Sequence, residues 1–332
     1  STLSSSSAAS DVYKRQGYTL LSVSISILGV HMVNKIIEKI TDPYSLISSL
    51  GVRGLFNWMS DEKYLKMLWR LKFHKSLNLD NPQTFNEKLQ WLKIHDRKPI
   101  YTTMADKYVV KKYVADKIGG EYIIPTLGVW ESFEDINFDI LPNQFVLKCT
   151  HDSGGIIIVK DKNNFDKKSA RKLLERNLIR NFYYCGREWP YKNVPPRIIA
   201  EKYMEDSQDK ELRDYKFYCF DGKVHALLLV TNRHGKGKMY FDYFDSEFSH
   251  LNLTNHWHSN APVTPRKPYS FDTMIELAKI LSTGIPHVRV DFYEMNGRVY
   301  FGEMTFYNNS GFLKIHPDDW EIEWGNLIRL PQ

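Results

Sequence analysis

The chain carries three cysteines in 332 residues, Cys149, Cys185 and Cys219, widely spaced and odd in number. That excludes a disulfide framework and a cysteine zinc site, and fits buried thiols in a reducing cytoplasm. Neither G-x-x-x-x-G-K-[ST] nor G-x-G-x-x-G occurs, so a P-loop and a Rossmann site are both unsupported. H-E-x-x-H is missing too; His256-Trp-His258 has metal-like spacing, but a loop with two surface histidines explains it better. There is no internal repeat and no arginine-rich arm. With 45 basic and 39 acidic residues the net charge is +6. That suits an anionic small molecule, an anionic polymer or a membrane surface, and does not call for nucleic acid. No apolar run is long enough to span a membrane. Gly17 to Val30 is too short, holds three serines and lacks a small-residue cleavage site.

What remains is the balance of a soluble globular protein, 42% hydrophobic and 25% charged, long enough for two or three subdomains. Residues 1–16 are Ser/Ala-rich and then abruptly basic, like a translated sequencing-adapter tail. We expect residues 1–31 to be a non-native or disordered leader, with a helix at Val33–Ile40 after Met32. Residues 32–100 read as helical, with Leu65, Leu68, Trp69 and Lys72 at helical spacing. Thr84 and Glu87 form a capping box ahead of Phe85, Leu89, Trp91 and Leu92. The pattern predicts another helix over 105–118, stopped by Gly119-Gly120. From Tyr122 the grammar turns to strands: Gln144–Cys149, Ile156–Val159, Arg197–Glu201, and a hairpin over 214–220 and 223–230 with an Asp-Gly turn. Residues 167–182 read as a basic helix, 231–268 as loop, and a helix capped by Ser270 runs to Ser282. Strands and helices mix with antiparallel hairpins, so the class is α+β, or mixed α/β.

Asn296-Gly297 joins two alternating runs, His287–Tyr293 and Arg298–Thr305, into a hairpin. Val288, Val290 and Phe292 share one face and Arg289 and Asp291 the other. Val299, Phe301, Glu303 and Thr305 alternate in the same way. The hairpin can bring Asp291 and Glu303 together as hard oxygen ligands for magnesium with a cation beside them. A cross-strand salt bridge is the plainer reading. Lys148 ends a strand and points into Ser153-Gly154-Gly155, where amides can approach a phosphate; an ordinary hairpin would look the same. Lys107, read as starting a helix, can reach a phosphate or simply face water. Glu201-Lys-Tyr-Met204 leaves a strand and can offer main chain and a carboxylate to an adenine edge. Asp214 and Lys216 share a strand face and suit ribose and phosphate, or each other. Asp242 and Asp245 loosely match the acidic metal motif of nucleotide-sugar glycosyltransferases.

Taken in order, these segments resemble the ATP-grasp superfamily along residues 101–312, and within it the TupA-like ATP-grasp family of polysaccharide biosynthesis. The resemblance rests on Phe85-Asn-Glu-Lys-Leu89, Ala105-Asp-Lys107, Phe145-Val-Leu-Lys148, His151 with Gly154-Gly155, Asp214-Tyr-Lys-Phe217, Arg289-Val-Asp291 and Phe301-Gly-Glu-Met-Thr-Phe-Tyr307. It implies ATP held between two subdomains, 101–200 and 201–325. Lys107 and Lys148 would bind phosphates under a mobile loop containing His151, Ser153, Gly154 and Gly155. Glu201, Lys202, Tyr203 and Met204 would hold adenine, with Asp214 near the ribose and Lys216 beside it. Asp291, Glu303 and Thr305 would hold Mg²⁺, and Arg289, with Lys148, would serve catalysis. The superfamily usually has Asn where this chain has Thr305, so Thr305, Asn308 and Asn309 all stand as candidates for the third ligand. The long N-terminal α/β domain common in the superfamily is replaced by the helical region 32–100.

The implied activity is ATP-dependent ligation of a carboxylate to an amine on a polysaccharide precursor. The protein would work in the cytoplasm, in peripheral association with membrane polysaccharide machinery and without nucleic acid. A nucleotide-sugar glycosyltransferase using Asp242 and Asp245, and a non-catalytic ATP-binding assembly partner, are the alternatives.

Overall fold

A computed structural model of the chain describes residues 42–206, 213–232, 238–255 and 257–331. The expected leader 1–31, the helix at 33–40 and His256 lie outside the described residues. The chain divides into Ser1–Leu50 and Gly51–Gln332. Helix α1 (Pro43–Val52) is the first described element. In the second unit α2 (Asp61–Phe73) buries Tyr64, Leu65, Leu68 and Trp69 and stops where His74 turns left-handed. Helix α3 (Phe85–His95) starts on the expected capping box: the Thr84 side chain accepts from the Glu87 N–H, and the Glu87 carboxylate takes the Thr84 N–H at 3.1 Å.

The helix expected over 105–118 is two helices, α4 (Ile100–Ala105) and α5 (Val109–Ile118). Asp106 breaks it. Its carboxylate takes the N–H groups of Tyr108 and Val109, capping α5, and pairs with Arg197 at 2.5 Å. Lys107 therefore sits in a turn, its N–H on the Thr150 carbonyl.

Two antiparallel sheets follow, each with its own core. Strands β1 (Thr126–Trp130), β2 (Phe145–Cys149), β3 (Ile157–Val159) and β4 (Ile198–Lys202) form a sheet in the order β1-β4-β2-β3. Phe145, Leu147, Ile198 and Ala200 pack there against Ala170 and Leu174 of α6 (Lys167–Leu178). That helix ends four residues earlier than expected, because the Asn181 side chain takes the Tyr183 N–H and starts a separate turn, α7 (Tyr183–Gly186).

The larger sheet has the order β10-β9-β5-β6-β7, with β5 (Asp214–Phe220), β6 (Lys223–Thr231), β7 (Tyr240–Phe244), β9 (Val288–Met295) and β10 (Arg298–Thr305). Strand β7 and the short β8 (Thr254–Asn255) lie in the stretch read as loop. Both hairpin turns have two left-handed residues, Asp221-Gly222 and Asn296-Gly297, as a type I′ turn requires. Helix α8 (Phe271–Ser282) buries Phe271, Met274, Ala278 and Leu281 on this core. The Ser270 side chain does not cap it; its hydroxyl donates to the Gly297 carbonyl instead. The chain closes with β11 (Ile315–His316), paired with β8, and α9 (Asp319–Leu327).

Strand β10 corrects the expected alternation. Phe301 opposes Phe292, but Glu303 opposes Asp291, because the register shifts between them. The extra residue is Gly302, a β-bulge. It leaves Val299 and Phe301 in the core and turns Glu303 and Thr305 to the opposite face. A Cβ at Gly302 would meet the Asp291 carbonyl oxygen at 3.0 Å. Cys149 and Cys219 are buried and Cys185 half-buried, all as free thiols. Among the described residues no helix is long and apolar enough to cross a membrane.

Candidate active site

Strand register places the chemistry. Lys216 on β5 opposes Asp291 on β9, which opposes Glu303 on β10. One step along, Tyr218, Arg289 and Thr305 form the next row. Lys216 Nζ lies 2.6 Å from Asp291 Oδ2 and 3.4 Å from Asp214 Oδ2. Arg289 grips Asp291 with two bonds, Nε to Oδ1 at 2.7 Å and Nη2 to Oδ2 at 2.8 Å. The same guanidinium reaches Glu303 Oε1 at 3.2 Å, Thr305 Oγ1 at 3.1 Å and Asn308 Oδ1 at 2.7 Å. Four oxygen-bearing side chains thus converge on one cation. Burial alone would raise the Glu303 carboxyl, but Lys216, Arg289, Lys107 and Lys148 outweigh it and hold it down to about 2. Glu303 is anionic at neutral pH, and its side chain keeps 40% exposure.

The smaller sheet supplies the opposing cations. Lys148 on β2 does not point into the glycine-rich loop as expected. Its Nζ lies 2.6 Å from Glu201 Oε2, a diagonal neighbour on β4, and Lys111 of α5 takes Glu201 Oε1 at 2.6 Å. The Glu201 carboxylate is therefore engaged and not open to an adenine edge. Lys107 donates its ammonium to the Asp152 carbonyl oxygen. Burial lowers the Lys107 ammonium, and the charge of Glu303 pulls it back up.

Other expected residues fall differently. His151 turns away: its Nε2 lies 3.1 Å from the carbonyls of Asn177 and Arg180, which ties the loop to the end of α6. Ser153 and Gly154 are exposed, and Gly154 and Gly155 have φ of +114° and +64°. A Cβ at Gly155 would meet Asn177 Nδ2 at 2.0 Å, so this close approach needs glycine. Lys202, the last residue of β4, is exposed; beyond it Tyr203 lies under the Lys160 ammonium, and Met204 is buried. Asn309 is exposed, whereas Asn308 is buried in the cluster. Asp242 is fully buried, taking His250 Nε2 at 3.0 Å and the Ala261 N–H at 3.2 Å, and Asp245 caps the turn at 247–249. These bonds occupy the acids that a glycosyltransferase metal site would need.

Among the described residues no three His, Cys, Asp or Glu side chains group to hold a metal. The donor set is two carboxylates with neutral oxygens from Thr305 and Asn308. Magnesium suits it, since that ion takes hard oxygen ligands, often only one or two carboxylates plus substrate phosphates. No local pattern marks Asp152, whose buried carboxyl is pushed up to about 6. Lys111 was missed too, although it follows Lys107 by one helical turn. Lys93 and Glu188 are both buried, and the charge of Lys93 offsets part of the burial that raises the Glu188 carboxyl.

No curated protein matches the chain. Solved structures that it resembles include the D-alanine–D-alanine ligase of Bacillus anthracis complexed with ATP, at 18% identity over 61% of this chain and 55% of that one, TM-score 0.37. The chain thus spans little more than half the length of that enzyme. The Helicobacter pylori D-alanine–D-alanine ligase matches at 15% over 74% and 69%, TM-score 0.41, and D-cycloserine synthetase DcsG at 15% over 69% and 70%, TM-score 0.39. Likenesses this slight bear on neither substrate nor reaction. The profile of the TupA-like ATP-grasp family matches residues 87–329, from the α3 capping box to the segment after α9. The chain belongs to the TupA-like ATP-grasp family.

Proposed function

We propose that the protein is an ATP- and magnesium-dependent ligase that joins a carboxylate to an amine while a cell-surface polysaccharide is built or decorated. The observation that carries this reading is the Arg289–Asp291–Glu303 cluster, with Glu303 held low by Lys107 and Lys148 as well as by Lys216 and Arg289. In the proposed reaction a substrate carboxylate oxygen attacks the γ-phosphorus of ATP. The bond to the β–γ bridging oxygen breaks, and ADP leaves. The amine then attacks the acyl carbon of the acyl phosphate, phosphate departs with the bonding pair, and the amine gives up a proton.

Each residue has a physical task. Lys107 and Lys148 oppose the triphosphate's charge, and the amides of Ser153 to Gly155 approach its oxygens. With the Glu201 carboxylate occupied, main-chain groups of Glu201 to Met204 face adenine, while Asp214 and Lys216 serve the ribose and phosphate side. Asp291 and Glu303 would hold magnesium, which when bound offsets phosphate charge. Arg289 stabilises charge that grows on the transferring phosphoryl group and the tetrahedral centre. The acceptor is a polysaccharide precursor bearing a carboxylate or amine, handled in the cytoplasm at the inner face of the membrane. Incubation with ATP, Mg²⁺ and pools of amino acids and uronic-acid sugars should yield ADP and a new amide by mass spectrometry. Tight ATP binding with neither product would leave the assembly-partner role; thermal protection by nucleotide sugars in place of ATP would overturn the reading.

A further inference from the structure

Helix α3 carries a buried polar stripe beside its apolar face. Asn86, Gln90 and Lys93, spaced i, i+4 and i+7, share one side of the helix and are 2%, 0% and 0% exposed. Buried polar groups need partners, and each of these three reaches the run 310–313 near the C-terminus. Asn86 Nδ2 donates to the Leu313 carbonyl at 2.7 Å. Gln90 Nε2 donates to the carbonyls of Gly311 at 2.8 Å and Ser310 at 3.1 Å. Lys93 Nζ donates to the Ser310 carbonyl at 2.7 Å and hydroxyl at 2.9 Å, and to the Gly186 carbonyl at 2.7 Å.

That run needs outside support. Asn309, Ser310 and Gly311 are left-handed in succession, with φ of 45°, 55° and 64°. Residues bearing a Cβ visit this basin singly, not in runs. The α3 donors meet the carbonyls of this turn. Gly186 gives it room, since a Cβ there would lie 1.9 Å from Ser310 Oγ. Immediately before the turn stands Asn308, whose Oδ1 joins Asp291 and Glu303 on the Arg289 guanidinium. Thr305 is the less suited oxygen. Its hydroxyl lies 3.4 Å from Glu303 Oε1 as a donor, and it carries a proton that must be placed. An amide oxygen has none.

We propose that Asn308 is the third protein oxygen of the cation site, beside Asp291 and Glu303, and that the α3 stripe, Lys93 above all, positions it. This rests on the magnesium-dependent reading above. Lys93 is a positioning residue: its ammonium bonds the Gly186 and Ser310 carbonyls, the Ser310 hydroxyl and Gln90 Oε1, and a methionine would remove all four bonds. The short helical region is thereby part of the site's construction.

The test uses Mn²⁺ in place of Mg²⁺, with a non-hydrolysable ATP analogue and the full chain. Bound Mn²⁺ is read by electron paramagnetic resonance, and analogue binding without metal by calorimetry. Asn308→Ala and Lys93→Met are each expected to weaken Mn²⁺ binding by about 10–100-fold, the usual cost of losing a ligand or its support. Thr305→Val should cost less, and Asn309→Gly, which keeps the left-handed turn, less still. Should Lys93→Met fold poorly, Gln90→Leu removes the other donor to the same carbonyls and should weaken Mn²⁺ by a smaller factor. In the Lys93 and Gln90 variants, analogue affinity without metal should hold. A parallel loss of both affinities would overturn the positioning role. Unchanged Mn²⁺ affinity in Asn308→Ala, or a larger loss in Thr305→Val, would overturn the assignment alone. A wild-type protein that binds neither Mn²⁺ nor the analogue would bring down the functional reading with it.

Discussion

Glu201 and the Asp291–Glu303 pair are both carboxylates set among buried cations, and they differ in what is left over. Each Glu201 oxygen takes one lysine at 2.6 Å, and the side chain is 6% exposed. Burial would raise that carboxyl, but Lys148 and Lys111 hold it low, so the carboxylate is charged and both its oxygens are engaged. At Asp291 and Glu303 one guanidinium is shared among four side chains, and Glu303 has a single 3.2 Å contact to it and an open flank. The same ingredients make a closed brace on the smaller sheet and a socket on the larger one. The socket can accept a further cation because Glu303 is loosely held and its side chain is 40% exposed, whereas both Glu201 oxygens are engaged and buried.

This contrast can be broken in graded steps. Asp291→Asn or Glu303→Gln should lower turnover by about 10²–10³, the cost of one preorganised electrostatic group; ADP release measured at saturating ATP checks it. Glu201→Gln should act mainly on folding. It leaves Lys111 and Lys148, whose side chains are 12% and 16% exposed, without their acid, which costs about 3 kcal/mol and is visible in urea denaturation. An equal loss of stability in Glu303→Gln would erase the distinction between brace and socket.

Asp152 gives a pH signature. Burial raises its carboxyl to about 6, against the opposing pull of Lys107 and Arg180. A value raised on folding favours the folded state below the ordinary 3.8, and that advantage is lost as pH climbs through about 6. Relative to Asp152→Asn, the wild type should lose about 2 kcal/mol between pH 4 and pH 7 in matched denaturation curves. The smallest effect belongs to Asp242→Asn. It should leave turnover unchanged and cost about 1 kcal/mol through bonds to His250 and Ala261, read as a lower melting temperature.

Local signals carried well where turn chemistry and capping decide. Asn296-Gly297 and Asp221-Gly222 marked both hairpins, and Thr84 with Glu87 marked the start of α3. The shared face of Asp214 and Lys216 followed from strand parity, whereas the 2.6 Å pair of Lys216 with Asp291 depends on which strand lies next to β5. The failures share a cause: a side chain spent on something distant in sequence. Asp106 broke a helix because it caps the next one and meets Arg197. His151 went to the end of α6, and Asp242 to its own loop. The burial of Gln90 and Lys93 has no local signal, because their Gly311 and Ser310 partners lie more than two hundred residues away.

The single-residue insertion at Gly302 gives the hairpin a phase as well as a composition. Counting back from the Asn296-Gly297 turn, every deletion of one residue before Glu303 would exchange the two faces beyond it. The acid would enter the layer of Phe292 and Val290, and Met304 would emerge into the cleft. Strand length here works like a reading frame: an otherwise mild deletion should silence the protein as surely as losing the carboxylate, with every catalytic letter still present.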